Sequence, residues 1–352
     1  MMYVGIDFHK KYSIACALDE VGKIVKESRI DGNTPAGFDL YFQSLHESCK
    51  TVFEACWNWG YLYDLLEGIA NIQEIVLAHP YKTRIIAEAQ IKTDKIDARN
   101  LAQLLRGNLI PKAHIPDKQV RQKKDMLRQR QYWVSMRTQI RNRVHALIDR
   151  QHDLQMPQVT DLFGKKGIAA LKAARLPEPD RQLLEQDLTV LHTIAEQIRD
   201  DEQYLKCESG EEIKLLESIP GIGTILSQVI NVEIDGIKRF TTSNKLCAYA
   251  GLVPTTYASG GKEYHGQLLP MCNKWLRWAF VEGAWVAVGC SSYFGALYRH
   301  YKAAGKPGNR AIVIVARRMC QIVWRVLSEK KQYQERGFIV NNSDRPGCRL
   351  AV

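Results

Sequence analysis

The chain has 352 residues and carries 49 lysines and arginines against 38 aspartates and glutamates, a formal net charge of +11. That length fits about two or three domains, each able to bury a core, and the charge suits a polyanionic partner such as nucleic acid. The nine cysteines form no C-x-x-C pair, which excludes a zinc ribbon, and no uncharged apolar run reaches the roughly 18 residues of a spanning helix.

The cysteines read as free thiols of a reducing compartment, and the start of the chain lacks the basic and apolar regions of a signal peptide. A cytoplasmic protein with no membrane partner is expected. Tyr3 to Asp7 reads as a short buried strand, Ser13 to Leu18 as a second and Lys23 to Ile30 as a third, the last two joined at Asp19-Glu20-Val21-Gly22. Thr34-Pro35 is an N-cap followed by a proline suited to a first helical turn, and Phe38, Tyr41, Phe42 and Leu45 extend an apolar helical face through Cys49. Thr51 to Glu54 returns as a strand, Leu62, Leu65, Leu66 and Ile69 mark a helix, and Glu74 to Ala78 is a fifth strand. Three antiparallel strands followed by two reached through helices is the order of the ribonuclease H fold, an α/β mixed sheet over residues 1–115.

In that order Asp7 lies on the first strand and Glu54 at the end of the fourth, which should be neighbours. Asp94 and Asp97 stand three apart, so a helix presents both on one face. Four carboxylates placed this way would hold Mg²⁺ against a phosphodiester, two ions about 4 Å apart being the arrangement that clamps the attacking and leaving oxygens. Lys92, Lys95 and Arg99 flank the acidic pair as candidate phosphate contacts.

Residues 116–207 read as a basic, helical, coiled-coil-type linker. From Lys118 to Arg150 the basic residues, among them Arg128, Arg137 and Arg141, far outnumber Asp117, Asp125 and Asp149, and apolar residues recur at near-helical spacing. This helix is a candidate nucleic-acid surface, or a solvated bundle face. Pro157, Gly164, Gly167, Pro177 and Pro179 interrupt the pattern; a second long helix extends from Arg181 to Leu205, able to pack on the first or on a partner chain.

Residues 208–335 should form a mainly α domain, and 336–352 a tail. Ile219-Pro220-Gly221-Ile222-Gly223 between two apolar helices fits a helix-hairpin-helix, in which Gly221 and Gly223 let backbone N–H groups approach a phosphate; a plain helical hairpin in a core fits it equally. A helix from Lys245 to Ala250 ends at Gly251. After Pro254, the stretch Thr255 to Lys262 reads as a loop holding Ser259, with Lys262, His265, Lys274 and Arg277 near in sequence to supply positive charge. A serine beside two glycines is usually a turn residue, and Tyr257 and Tyr264 compete with it as nucleophiles. Trp275, Trp278 and Trp285 on the next helix read as packing residues, as does the helix around Ile312 to Leu327.

Gly5-Ile6-Asp7-Phe8-His9-Lys10, Phe53-Glu54-Ala55, Lys92-Thr93-Asp94-Lys95-Ile96-Asp97-Ala98, and the block from Ile219-Pro220-Gly221-Ile222-Gly223 through Gly251-Leu252-Val253-Pro254 to Ser259-Gly260 together resemble one family. This is the DEDD transposases of bacterial insertion sequences in the group numbered one-hundred-ten, which also includes site-specific DNA invertases. The resemblance covers nearly the whole chain in the right order. It implies a resolvase-like (RuvC-like) N-terminal domain, a helical linker and a C-terminal transposase domain with a catalytic serine. It also implies recombination of DNA guided by a structured non-coding RNA, in a homodimer or homotetramer with the active site shared between protomers. By motif the acidic residues are Asp7, Glu54, Asp94 and Asp97, with Mg²⁺ as cofactor and Mn²⁺ as substitute, and the serine is Ser259. Two other readings stand beside it: a Mg²⁺-dependent nuclease that uses water, with Ser259 merely structural, and a non-catalytic nucleic-acid-binding protein.

Overall fold

Strand β1 (Met2–Phe8) runs through the middle of a five-stranded sheet. Short turns return the chain as β2 (Tyr12–Leu18) and β3 (Ile24–Asp31), each antiparallel to its predecessor. Helix α1 (Pro35–Gln43) comes next, its first turn held by Thr34 Oγ1, which accepts from the Gly37 N–H at 3.2 Å. Then β4 (Cys49–Glu54), α2 (Trp59–Glu67) and β5 (Ile72–Ala78) build a crossover, and α3 (Pro80–Ile86) and α4 (Asp94–Arg106) close this region. The strand order is β3-β2-β1-β4-β5, with β1, β4 and β5 parallel and β2 antiparallel to both neighbours. This mixed sheet is consistent with a ribonuclease H-like domain.

The computed structural model describes residues 1–86, 93–151, 158–206, 210–259 and 262–335, so the expected tail at 336–352 lies outside the described residues. Two units are distinguished, Met1–Pro116 and Asp117–Val352. In the first, the sheet is covered on both faces. Ile6 and Phe53 pack with Phe38 and Phe42 of α1 and Leu62 and Leu66 of α2, all fully buried, each contributing about 1.5–3 kcal/mol of hydrophobic stabilisation. Val52 and Val76 point the other way, onto Leu101, Leu104 and Leu105 of α4. One expectation is corrected here: α1 stops at Gln43 and does not run to Cys49. Ser44 caps it, His46 turns the chain at φ +53°, and Cys49 opens β4, its N–H donating to the Asn71 carbonyl. Sheet pairing captures the backbone that helical spacing alone would have extended.

The second unit begins with α5 (Lys118–Asp149), then α6 (Lys165–Ala173) and α7 (Glu178–Lys206). Arg150 pairs with Asp180, Arg143 with Asp187 and Arg130 with Glu202, so α5 and α7 run antiparallel. Their seam is Val144, Leu147, Leu184 and Leu191, with Leu171 of α6 added to it. Helix α6 lies where the sequence shows only interruptions: Gly164 is its N-cap, and Pro179 sits within the first turn of α7, where its missing N–H is not needed. Pro157 lies outside the described residues.

Helix α5 of the expected linker packs against the second of the next four elements of the chain. These are α8 (Glu211–Glu217), α9 (Thr224–Ile234), a 3₁₀ turn (Ile237–Arg239) and α10 (Ser243–Tyr249). Glu233 of α9, 4% exposed, takes Lys124 at 3.4 Å and Arg128 at 3.2 Å from α5, and accepts from Asn273 Nδ2 at 2.9 Å. A buried carboxylate with these partners ties α5 to α9, because a charge left without partners in the interior is costly.

A second correction concerns Thr255 to Lys262. Residues 255–259 and 262 are strand residues: β6 (Pro254–Ser259) and β7 (Lys262–Leu268) pair antiparallel, with Ser259 opposite Lys262. The β-branched and aromatic run Thr255-Thr256-Tyr257 and the two-residue Gly-Gly spacer are hairpin chemistry. Residues 260 and 261 themselves lie outside the described residues. Helices α11 (Lys274–Cys290), α12 (Ser292–Ala303) and α13 (Gly308–Glu329) complete the unit around Phe280, Phe294, Val315 and Met319. Trp275 and Trp278 pack against this core as expected, whereas Trp285 is half exposed beside Tyr298. Among the described residues no helix is long and apolar enough to cross a membrane, and the seven described cysteines are free thiols.

Candidate active site

The acidic residues gather at one end of the sheet because of three local choices. In the parallel register of β1 and β4, Ile6 stands opposite Phe53, so Asp7 and Glu54 come next, side by side. Both point to the face that α4 covers, since alternate residues Gly5 and Val52 do so. Thr93 then caps α4, its Oγ1 accepting from the Ile96 N–H at 3.3 Å, and this places Asp94 and Asp97 in the first turn. Acidic residues there also favour the helix itself, by about 0.3–1 kcal/mol each.

Asp94 reaches the sheet. His9 Nε2 lies 3.0 Å from Asp7 Oδ2 and 3.3 Å from Asp94 Oδ2, and the Tyr12 hydroxyl donates to Asp94 Oδ2 at 2.7 Å. Asp7, His9 and Asp94 each offer a ligand atom, all within 4.8 Å of one another. The electrostatics match this crowding. Burial holds the Asp7 carboxyl above the usual range, His9 pulls it back, and the charges of Asp94 and Asp97 push it up again. Asp94 is held below its ordinary value, chiefly by the Tyr12 hydrogen bond. The Cys56 thiol is raised by burial and by the nearby charges of both Asp7 and Glu54, so Glu54 belongs to the same neighbourhood. Clustered oxygen donors whose like charges repel across a partly buried site fit a hard divalent cation, which would remove that repulsion.

Gly5 makes the arrangement possible. A Cβ at that position would stand 2.1 Å from the Ala98 carbonyl oxygen and 2.6 Å from the Ala102 nitrogen, both backbone atoms of α4. Gly5→Ala is expected to push α4 off the sheet, costing about 3 kcal/mol and lowering the melting temperature of the N-terminal unit by about 10 °C. Calorimetric melting checks this, and a melting temperature unchanged within error would contradict the close packing of α4 on β1.

The remaining sequence candidates fall differently. Lys92 lies outside the described residues. Lys95 and Arg99 both pair with Glu27, at 3.5 Å and 2.6 Å, and Arg128 is committed to Glu233 and stacked over Trp275. Arg137 and Arg141 are half-buried on α5, Arg141 against the Phe163 ring, and the Nε of each has no hydrogen-bond partner. Gly221, at φ +87°, is packed backbone to backbone on α11: a Cβ would meet the Gly283 oxygen at 2.2 Å. Gly223, the N-cap of α9, has open space where its side chain would be. Lys274 is exposed in the first turn of α11, and the Arg277 guanidinium donates to the Leu269 carbonyl. Ser259 closes β6 at the end of its hairpin, and Lys262 opens β7.

Two site residues, His9 and Tyr12, do not stand out in the sequence. For His9 a signal exists: it lies two positions beyond a strand aspartate, and residues i and i+2 share a face. Tyr12 carries none, because only the β1–β2 turn and the docking of α4 bring it to Asp94.

Residues 4–152 match a family described as Transposase, the DEDD group of IS110 elements, and residues 213–299 match the Transposase IS116/IS110/IS902 family. A Coxiella burnetii protein named as the transposase for insertion sequence element IS1111A is 25% identical over 350 residues, covering 94% of this chain and 91% of its own. The transposase for insertion sequence element IS1328 of Yersinia enterocolitica is 26% identical, covering 80% and 84%. This chain belongs to the IS110 family of DEDD transposases.

As a transposase of an insertion sequence it acts on DNA, and the first family match spans all four acidic positions while the second spans Ser259. The DEDD group implies use of a divalent metal, in keeping with the Asp7–His9–Asp94 cluster. A probable family 20 transposase of Pseudomonas aeruginosa, 23% identical over 81% of this chain and 86% of its own, aligns across both regions as well.

Proposed function

We propose that this transposase cuts and exchanges DNA strands with a Mg²⁺ site formed by Asp7, Glu54, Asp94 and Asp97 and with Ser259 as nucleophile. The observation that carries the reading is the convergence of sheet and helix carboxylates on one point, with Asp7 raised by its buried, like-charged surroundings. Divalent cations, when bound, supply charge neutralisation at the phosphate and polarise its oxygens. The chain's own residues do the rest. Asp7 and Glu54, fixed by strand register, and Asp94 and Asp97, fixed by the Thr93 cap, hold the ions in place before substrate arrives, so little reorganisation is left for the reaction. Tyr12 orients the Asp94 carboxylate.

In this reading the Ser259 oxygen forms a bond to phosphorus as the bond to a deoxyribose oxygen breaks. The serine proton passes to water and the departing oxygen takes one up. The phosphoserine ester keeps the bond energy that hydrolysis would discard, and attack by a hydroxyl of another strand restores the serine. A structured guide RNA, and a homodimer or homotetramer in which protomers share the work, complete this reading on family grounds.

The test is to incubate the purified chain and its co-purifying RNA with labelled DNA and Mg²⁺ and resolve the products under denaturing conditions. A protein-linked DNA product that disappears on chelation is expected. Cleaved DNA with no linked product would favour the nuclease that uses water.

A further inference from the structure

We propose that His9 is itself a ligand of the cation held by Asp7 and Asp94, so that this position takes Mn²⁺ in preference to Mg²⁺. The proposal rests on the reading of the acidic quartet as a metal site. Its basis is geometric. Around an octahedral ion with bonds near 2.1 Å, adjacent ligand atoms stand about 3.0 Å apart. His9 Nε2 lies 3.0 Å from Asp7 Oδ2, within hydrogen-bond reach, and 3.3 Å from Asp94 Oδ2, and both separations are also those of neighbouring ligands on one ion.

His9 is also held more firmly than a turn residue requires. Its N–H donates to the Tyr12 carbonyl at 3.0 Å, and its own carbonyl accepts from Asn33 Nδ2 at 2.7 Å. Asn33 is buried, its Oδ1 accepts from the Ser13 hydroxyl at 2.7 Å, and its backbone carbonyl accepts from the Tyr61 hydroxyl at 2.9 Å. The His9 ring lies 4.9 Å from the Tyr12 ring, and the Tyr12 hydroxyl holds Asp94, so one tyrosine orients two of the three ligands. The Tyr12 hydrogen bond to Asp94 is outer support of the kind that metal-binding carboxylates carry.

The consequence is ion choice. A neutral imidazole with its proton on Nδ1 offers a nitrogen lone pair, which Mg²⁺ accepts poorly and transition-metal dications accept well. Asp7 and Asp94 supply the oxygen ligands that Mn²⁺ also takes. Glu54 and Asp97, with oxygen alone, are left for an ion that Mg²⁺ serves equally.

The experiment is pulsed electron paramagnetic resonance of Mn²⁺ added to the full chain, with calorimetric titration of Mn²⁺ and Mg²⁺. Modulation from a directly bound nitrogen is expected in the wild type and absent in His9→Gln, with Mn²⁺ affinity lowered about tenfold and Mg²⁺ affinity changed about twofold or less. The wild-type spectrum decides even if the variant folds poorly. Bound Mn²⁺ that is displaced in Asp7→Asn but shows no nitrogen coupling in the wild type would overturn the role of His9 and leave the quartet standing. Coupling that persists in His9→Gln would overturn it likewise. Failure to bind either ion would remove the quartet reading together with this one.

Discussion

Replacing Asp7 with asparagine is expected to lower DNA strand cleavage by about a thousandfold, equivalent to roughly 4 kcal/mol of transition-state stabilisation. The substitution keeps shape and removes one carboxylate from the point where β1, β4 and α4 converge. Its effect on stability should have the opposite sense. Burial holds the folded carboxyl above its ordinary value near 3.8, so the folded chain binds the Asp7 proton more tightly than the unfolded chain does. The ionised group therefore opposes folding, by an amount that grows as pH rises above the unfolded value and is fully present at neutral pH. His9 offsets part of it. Asparagine carries no such charge, so Asp7→Asn should melt at or above the wild-type temperature at neutral pH while cleaving far more slowly. Loss of both fold and activity would mean that Asp7 is structural. A site that is costly to keep and is kept for function behaves this way.

Ser259→Ala is expected to abolish the covalent protein–DNA product and to lower strand exchange by about ten-thousandfold or more, since removal of a nucleophile leaves only binding and electrostatic assistance. The fold should persist, because β6 and β7 are joined by backbone pairing that alanine retains. Tyr257→Phe and Tyr264→Phe serve as controls, since each removes a competing hydroxyl within the same hairpin. A linked product that survives Ser259→Ala and vanishes in either tyrosine variant would transfer the role to that residue. Unchanged cleavage in Ser259→Ala, with no linked product in either protein, would make the chain a nuclease that uses water.

Much of the N-terminal region is legible in its amino-acid pattern. The apolar runs ending at Asp7 and Glu54 are short, bounded and on opposite sides of a crossover, so strand identity, order and the neighbouring of the two carboxylates come from that pattern alone. The Thr93 cap likewise announces the helix that carries Asp94 and Asp97. Pattern cannot deliver anything decided between elements. Tyr12 joins the site only once a turn folds β2 back on β1 and α4 settles on the bare backbone of Gly5, whereas His9 follows Asp7 by the two-residue spacing of one strand face. Helix α1 is shorter than its apolar spacing suggests because Cys49 is claimed by the sheet.

Charge is the least transferable signal. Lys95, Arg99 and Arg128 read as phosphate contacts in a basic sequence, yet each meets a carboxylate of the chain itself, Glu27 or Glu233. Those partners are 68, 72 and 105 positions away, a separation no local window can register. The strand that ends at Ser259 escapes a sequence reading for a different reason: the adjacent glycines suit a loop, while the β-branched and aromatic residues before them belong to β6, which pairs with β7.

In the proposed site Asp7 at the end of β1 and Asp94 at the start of α4 hold a divalent metal. Anomalous diffraction from crystals of the full chain soaked in Mn²⁺ tests it most directly. A peak is expected within about 2.2 Å of the carboxylate oxygens of Asp7 and Asp94, absent from crystals of Asp7→Asn. Mn²⁺ peaks elsewhere on the chain, with none between β1 and α4, would contradict it.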